Sequence, residues 1–148
     1  MYRFQYSVVT KATPSRAWEV FSNWEKWNDF ANIYGDVKWR EGEPWRIGSR
    51  MDIEVVRPVQ TVVDHLIICC EPGREVGWID RAMGITIGQW VEFEVLGTRS
   101  TRVETWGEVT PSHARVAGRT VEQLVASFIQ TWYENFRLAC DQTAEATG

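Results

Sequence analysis

The sequence of 148 residues contains only three cysteines and two histidines. Cys69, Cys70 and Cys140 have no C-x-x-C spacing, which excludes a disulfide framework and the common zinc and redox motifs. With His65 and His113 as its only histidines, the chain cannot build a multi-histidine metal site. We therefore expect a protein of a reducing compartment with no metal site.

The glycine-rich and catalytic signatures of the common enzyme classes are also missing. The sequence has no G-x-G-x-x-G, no G-x-x-x-x-G-K-[ST], no H-E-x-x-H and no G-x-S-x-G. These absences argue against nucleotide and nicotinamide binding and against the familiar hydrolase chemistries. We expect no cofactor.

Long apolar runs and clusters of one charge are absent as well. No 18 apolar residues run together, and the first residues alternate in polarity instead of forming the apolar segment of a signal peptide. The 16 lysines and arginines are scattered, and the net charge is −4, so nothing indicates a nucleic-acid surface. The sequence predicts a cytoplasmic protein with no membrane span and no nucleic-acid partner.

Tryptophan is the residue in excess, with nine in the chain, and 44% of all residues are hydrophobic. A chain of this length and composition can bury one substantial core, so we expect a single domain over residues 1–148. Large rigid apolar side chains serve a core, an interface or a ligand site. The tryptophan content is the first indication of function.

The N-terminal part predicts one strand followed by two short helices. Apolar and polar residues alternate from Tyr2 to Val8, which is typical of a half-buried strand. Thr13 and the proline after it form a helix start. A second short helix is predicted after Ser22, where the spacing to Glu25 matches a capping box.

The rest of the chain predicts an antiparallel meander and one long helix. A short strand at Val37 and Trp39 precedes segments typical of strands, with short turns between them: 51–55, 59–70, 76–80, 85–95 and 101–109. Connections this short leave no room for crossover helices. From Val121 to about Gln142 the apolar period changes to that of one amphipathic helix, whose apolar stripe we predict to comprise Val121, Leu124, Val125, Phe128, Trp132, Phe136 and Ala139.

This order of elements predicts an α+β fold in which a curved antiparallel sheet of about seven strands wraps a long C-terminal helix. The motifs that carry a resemblance are Trp24-x-x-Trp27, Glu41-Gly42-x-Pro44-Trp45-x-x-Gly48-Ser49-Arg50, Glu71-Pro72-x-Arg74-x-Val76-x-Trp78, Phe93-Glu94-x-Leu96-Gly97 with Thr101-Arg102-Val103, and Phe128-x-x-x-Trp132. The sequence resembles the helix-grip SRPBCC/START-like superfamily, and in particular its polyketide cyclase/dehydrase-like branch. The resemblance implies a pocket between sheet and helix and leaves the reaction, if there is one, open.

Turn lengths predict which residues share the inward face of the sheet. They place His65 opposite Asp80, Trp78 opposite both Ile67 and Gln89, Thr105 opposite Val91, Val103 opposite Phe93, and Val55 opposite Val59, with Cys69 on the same inward face. We expect ligand contacts from the following residues: Trp27, Phe30, Met51, Ile53, Val55, His65, Ile67, Trp78, Asp80, Ile87, Gln89, Val91, Val103, Thr105, Phe128 and Trp132. Phe128 and Trp132 would grip the ligand, and Trp27 and Phe30 would cover it.

Two functions are compatible with this face. The first is binding, and by extension transport, of a small hydrophobic ligand such as a lipid, a polyketide or an aromatic compound, oriented by the polar residues His65, Asp80, Gln89 and Thr105. The second is a cyclase or dehydratase in which His65 and Asp80 serve as acid and base, although the same pair can be an ordinary ion pair.

The outward face of the sheet suggests a third possibility. Ile68, Gly77, Trp90 and Trp106 form a row across four predicted strands, with Ile79 beside it. A contiguous apolar stripe on a solvent-facing surface often marks a partner surface, so we expect a homodimer or another protein contact here. The alternative is that long neighbouring side chains shield the stripe.

Overall fold

The computed structural model describes residues 1–147, in which nine strands and three helices follow one another. Their bounds are β1 Tyr2–Thr10, α1 Pro14–Ser22, a 3₁₀ helix Trp24–Asp29, β2 Tyr34–Glu41, β3 Arg50–Val55, β4 Thr61–Glu71, β5 Glu75–Ala82, β6 Ile85–Gly97, β7 Ser100–Thr110, β8 Arg115–Val116, β9 Arg119–Thr120 and α2 Val121–Thr147. Seven of the strands form one antiparallel sheet in the order β1-β7-β6-β5-β4-β3-β2. The predicted α+β helix-grip fold is confirmed.

Local capping explains where the helices begin. The Thr13 side chain accepts a hydrogen bond from the Arg16 amide at 3.2 Å and so caps α1. Thr120 and Gln123 exchange two such bonds at the start of α2, at 3.1 and 3.2 Å, as a capping box. The predicted box at Ser22 is wrong, because Ser22 ends α1 and the 3₁₀ helix that follows has no side-chain cap.

The register of the central strands agrees with the turn lengths. His65 pairs with Asp80, Trp78 with Gln89, and Val91 with Thr105. Val55, however, pairs with Thr61 and not with Val59, because residues 56–60 form a connection longer than a tight turn. A shift of two residues keeps every side chain on its predicted face.

A register shift in β4 overturns the prediction for the end of that strand. Between Ile67 and Cys69 the ladder with β5 is irregular, so that Cys69 pairs with Gly77 and Cys70 with Val76. Cys69 therefore lies on the outer face, where its sulfur approaches Gly77, and Cys70 packs against the core. The extra residue of a bulge reverses the facing of all residues after it.

The apolar face of α2 is rotated relative to the prediction. Its buried residues are Val121, Val125, Ile129, Trp132, Tyr133, Phe136 and Cys140, whereas Phe128 is 37% exposed and Leu124 and Ala139 are half-buried. The helix is also longer than predicted, about 40 Å for its 27 residues. Its buried face lies across the concave side of the sheet, with α1 packed beside it.

Candidate ligand cavity

An inner chamber of about 100 Å³ lies between the concave face of the sheet and α2. Most of its wall is aromatic: Phe21, Trp27, Tyr34, Trp45, Trp78, Phe128, Trp132 and Tyr133. Ile53, Val55 and Val63 complete the apolar lining, and His65, Asp80 and Gln89 are its polar members. A mostly apolar cavity with a few polar groups is the usual form of a small-molecule site.

An outer chamber of about 200 Å³ adjoins the inner one. The two share five lining residues: Val55, Val63, Asp80, Gln89 and Phe128. The outer chamber continues below the N-terminal turns of α2, past Ile87 and Ile129, to the turns at Pro58 and Met83. Met83 is 52% exposed, so this end opens at the protein surface.

His65, Asp80 and Trp78 form one hydrogen-bonded cluster on the sheet side of the inner chamber. Pairing of β4 with β5 places His65 directly opposite Asp80, and Nδ1 of the imidazole lies 2.5 Å from Oδ1 of the carboxylate. Trp78, two residues before Asp80 on the same face, donates its indole N–H to Oδ2 at 3.1 Å. The second ring nitrogen of His65, Nε2, is buried and has no hydrogen-bond partner among residues 1–147.

Tyr34 and Trp132 join the opposite wall. The indole N–H of Trp132 on α2 donates to the Tyr34 hydroxyl on β2 at 2.8 Å. Burial raises the pKa of the Tyr34 phenol well above its ordinary value. The hydroxyl therefore keeps its proton at neutral pH.

A second polar cluster consists of Gln89, Thr105 and Tyr133, whose side chains are linked by hydrogen bonds. The Gln89 amide donates to the Thr105 hydroxyl at 2.8 Å and to the Tyr133 hydroxyl at 3.2 Å, and Thr105 donates to the carbonyl of Trp90 at 2.9 Å. Burial raises the pKa of Tyr133 far above the usual phenol value. These groups tie α2 to the sheet.

The predicted ligand contacts divide into three groups. Nine line the inner chamber: Trp27, Ile53, Val55, His65, Trp78, Asp80, Gln89, Phe128 and Trp132. Ile87 lines the outer chamber. Met51, Ile67, Val91, Val103 and Thr105 lie fully buried in the packed layer of the sheet, and Phe30 packs against Trp132 with ring centroids 5.2 Å apart without lining either chamber.

Several cavity residues were not predicted from the sequence. Phe21, Tyr34, Trp45, Val63 and Tyr133 line the inner chamber. Tyr133 carries the clearest signal that was missed, since Val121, Val125, Ile129 and Tyr133 recur at every fourth position. Tyr34 and Trp45 lie at the sheet edge and in a loop, where no periodicity marks them.

On the outer face, the Trp90 indole covers two glycines. A Cβ at Gly77 would lie 2.7 Å from Trp90 ring atoms, and one at Gly88 would lie 3.7 Å from them, so the ring rests flat on the sheet. Ile68, Ile79, Trp90 and Trp106 are all half-buried. Because of the bulge in β4, Cys69 and not Ile68 pairs with Gly77 in this row. The contact surface at these residues stays a prediction.

No helix within residues 1–147 is long and apolar enough to cross a membrane. Within the same range, no group of three or more histidine, cysteine, aspartate or glutamate side chains is arranged to hold a metal ion.

Solved structures of the same fold include two aromatase/cyclases and a START superfamily protein. The Zhui aromatase/cyclase from Streptomyces sp. R1128 has 14% identity and a TM-score of 0.74, with 97% of this chain and 93% of that chain covered. A START superfamily protein from Mycobacterium smegmatis has 14% identity and a TM-score of 0.69, with both chains fully covered. The di-domain aromatase/cyclase StfQ of steffimycin biosynthesis has 15% identity and a TM-score of 0.76, over 96% of this chain and 46% of that one.

No family model and no curated protein matches the sequence. At identities this low, the structural likeness establishes the helix-grip fold alone.

Proposed function

We propose that this protein binds a small hydrophobic ligand, such as a lipid, a polyketide or an aromatic compound, in the two chambers between the sheet and α2. Affinity would come from burial of the ligand's apolar surface against the aromatic wall. The fold is shared with START superfamily and aromatase/cyclase structures, which supports a ligand-binding role without naming the ligand.

The observation that carries the proposal is the unfilled space between the sheet and α2. An inner chamber of about 100 Å³ with a mostly aromatic wall adjoins an outer chamber of about 200 Å³. His65, Asp80 and Gln89 are the polar side chains among the rings of the inner chamber. A ligand with one polar group on an apolar body would occupy this space.

The direct test is native mass spectrometry of the purified protein, followed by denaturing extraction. We expect an adduct that is present in the native spectrum and lost on denaturation. As a control, Val63→Phe puts a larger side chain at a position lining both chambers and should abolish the adduct. If the wild-type protein shows no adduct and binds none of a panel of neutral aromatic compounds, the proposal is wrong.

A second function, that of a cyclase or dehydratase, is favoured by the short contact between His65 and Asp80. The carboxylate would orient the imidazole, and Nε2 would take a proton from the substrate and return it to a hydroxyl that leaves as water. The same arrangement would also serve to bind and orient a ligand.

Comparison of extracted compounds separates binder from enzyme. Wild-type protein and His65→Gln should be expressed in the same host and their adducts extracted. A binder yields the same compound from both proteins. An enzyme yields a product from the wild type and an unconverted compound from the variant, which for a dehydratase is heavier by one water.

A further inference from the structure

We propose that a surface groove beside α2 binds a single-chain amphiphilic acid, a molecule with one apolar chain and one carboxylate. The groove has a volume of about 380 Å³, which is within the range of small-molecule pockets. It adjoins the two chambers across Phe128, which lines all three spaces, and adds a second site to the proposed ligand cavity. The proposal rests on the apolar walls of the groove and on two arginines that have no acidic partner.

One wall of the groove is a face of α2 that does not pack on the sheet. Leu124, Phe128 and Thr131 recur at intervals of four and three residues, so they lie on the same face of the helix. Ile129 is buried, whereas Phe128 is 37% exposed. Ile33, in the segment before β2, extends the apolar lining. Phe128 is therefore part of an apolar concavity, which typically marks a binding site, and not an isolated surface side chain.

Arg57 borders the groove and is held in place without losing its charge. Its guanidinium donates to the backbone carbonyl of Asn32, from Nε at 3.2 Å and from Nη2 at 3.1 Å. This acceptor is neutral, and within residues 1–147 no carboxylate forms an ion pair with Arg57. The side chain is thus positioned in advance, and its Nη1 donors have no partner in that range.

Arg119 lies in β9, directly before α2, and borders the same groove. Among the described residues its side chain has neither an ion pair nor a hydrogen bond. The pairing of arginine with a carboxylate is the commoner arrangement in this protein, and it holds for Arg3, Arg16, Arg40, Arg46, Arg50, Arg74, Arg102 and Arg137. The two groove arginines are therefore the exceptions, and they border one concavity.

The charge around the groove decides the class of ligand. No aspartate or glutamate within residues 1–147 lines the groove, although the net charge of the chain is −4. Arginine is always protonated in proteins, and its planar guanidinium matches a carboxylate through two parallel hydrogen bonds. The groove therefore favours an acid over an amine, and its apolar walls bury the chain of that acid.

Three probes of equal chain length test the proposal: decanoate, decanol and decylammonium, titrated by isothermal calorimetry at pH 7.5. They are added to the purified protein because an open groove exchanges its ligand with solvent. We expect decanoate to bind about tenfold more tightly than decanol, as two charged donors at an exposed site predict, and decylammonium to bind more weakly than decanol. Equal binding of the three probes would overturn the proposal.

The preference, defined as the Kd of decanol divided by the Kd of decanoate, can be assigned to the arginines. Arg57→Gln and Arg119→Gln should each lower it about threefold and leave the Kd of decanol unchanged, since only the charge is removed. Arg99→Gln is the matched control, because Arg99 lies between β6 and β7 and also has no ion pair among the described residues. An equal effect of Arg99→Gln would reduce the preference to one of net charge and overturn the site.

Two further substitutions locate the bound acid. Ser127→Trp places a large side chain at an exposed position that lines the groove and neither chamber, so it should abolish the preference. Val63→Phe narrows both chambers and leaves the groove lining unchanged, so the preference should persist. The reverse result would place the acid in the chambers, which overturns the groove site and supports the proposed function.

A lipid surface is the other source of an acidic headgroup on an apolar chain. A bilayer presents its headgroups on a broad surface, whereas a groove of this volume encloses a single chain. We therefore expect no cosedimentation with vesicles of phosphatidylglycerol and phosphatidylcholine. Cosedimentation that Arg57→Gln and Arg119→Gln abolish would show that the arginines serve a membrane surface, and would overturn the proposal of a site for a dissolved acid.

Discussion

The hydrogen bonds among Gln89, Thr105 and Tyr133 hold α2 on the sheet, and their contribution to the free energy of unfolding can be tested. Tyr133 is 2% exposed, and its hydroxyl accepts one of the two hydrogens of the Gln89 amide. In Tyr133→Phe that amide hydrogen loses its partner at an almost fully buried site, since Gln89 is 5% and Tyr133 2% exposed. The expected loss in the free energy of unfolding is about 2 kcal/mol, which lowers Tm by about 4–8 °C for a chain of this size.

Tyr6→Phe is the matched control, because it removes the same hydroxyl from a less buried site. The Tyr6 hydroxyl donates to Glu134 at 2.8 Å, and water can replace it there. We expect a loss below about 1 kcal/mol. Urea denaturation of both variants, with unchanged slope, measures the difference; equal losses for the two variants would refute the reasoning that burial of the Gln89 amide sets the magnitude.

Three further predictions concern packing, capping and thiol reactivity. Gly77→Ala should destabilise the protein by about 1–3 kcal/mol, since its Cβ would lie 2.7 Å from the Trp90 ring. Gly88→Ala should change stability much less, because its Cβ would lie 3.7 Å from that ring. Equal unfolding midpoints for the two variants would contradict this prediction. Thr13→Ala should cost about 1 kcal/mol through the lost α1 cap, measured in urea, and no loss would show that the cap is not stabilising. Burial raises the pKa of the Cys140 thiol to about 12. At pH 8 iodoacetamide should therefore modify this thiol only after the protein unfolds, which peptide mass mapping measures. Rapid labelling of the native protein would be inconsistent with the burial of Cys140.

The sequence predicts the fold well because the meander is built from short turns. Each turn length fixes one register, and alternation of polar and apolar residues fixes the face, so that the pairing of His65 with Asp80 follows from counting. Val55 pairs with a residue two positions further along the chain than predicted, but an even shift leaves each side chain on its predicted face.

The predictions fail where the residues on both faces of a strand are apolar, or where two adjacent residues of a helix are. Residues 67–70 of β4 are Ile-Ile-Cys-Cys, so no polarity contrast reveals the bulge that turns Cys69 outward. On α2, Phe128 and Ile129 are adjacent and both apolar, and only packing on the sheet decides that Ile129 is buried and Phe128 is not.

The cavity could be predicted in part. The inward-facing strand residues that line the cavity follow from the sequence, because side chains alternate between the two faces along a strand. The chamber wall at Tyr34 depends on how the β2 edge packs under α2, and the wall at Trp45 depends on how the loop before β3 packs against α1 and the 3₁₀ helix. No local sequence pattern encodes either contact. The lack of a hydrogen-bond partner at Nε2 of His65 is likewise a property of the assembled fold.

The central claim is that the chamber between sheet and α2 is a binding site, and a crystal structure with 4-propylphenol tests it most directly. The account predicts electron density for the ring in the inner chamber, beside Trp78 and Trp132. A chamber that stays empty at saturating ligand, or density for the probe only on the protein surface, would contradict it.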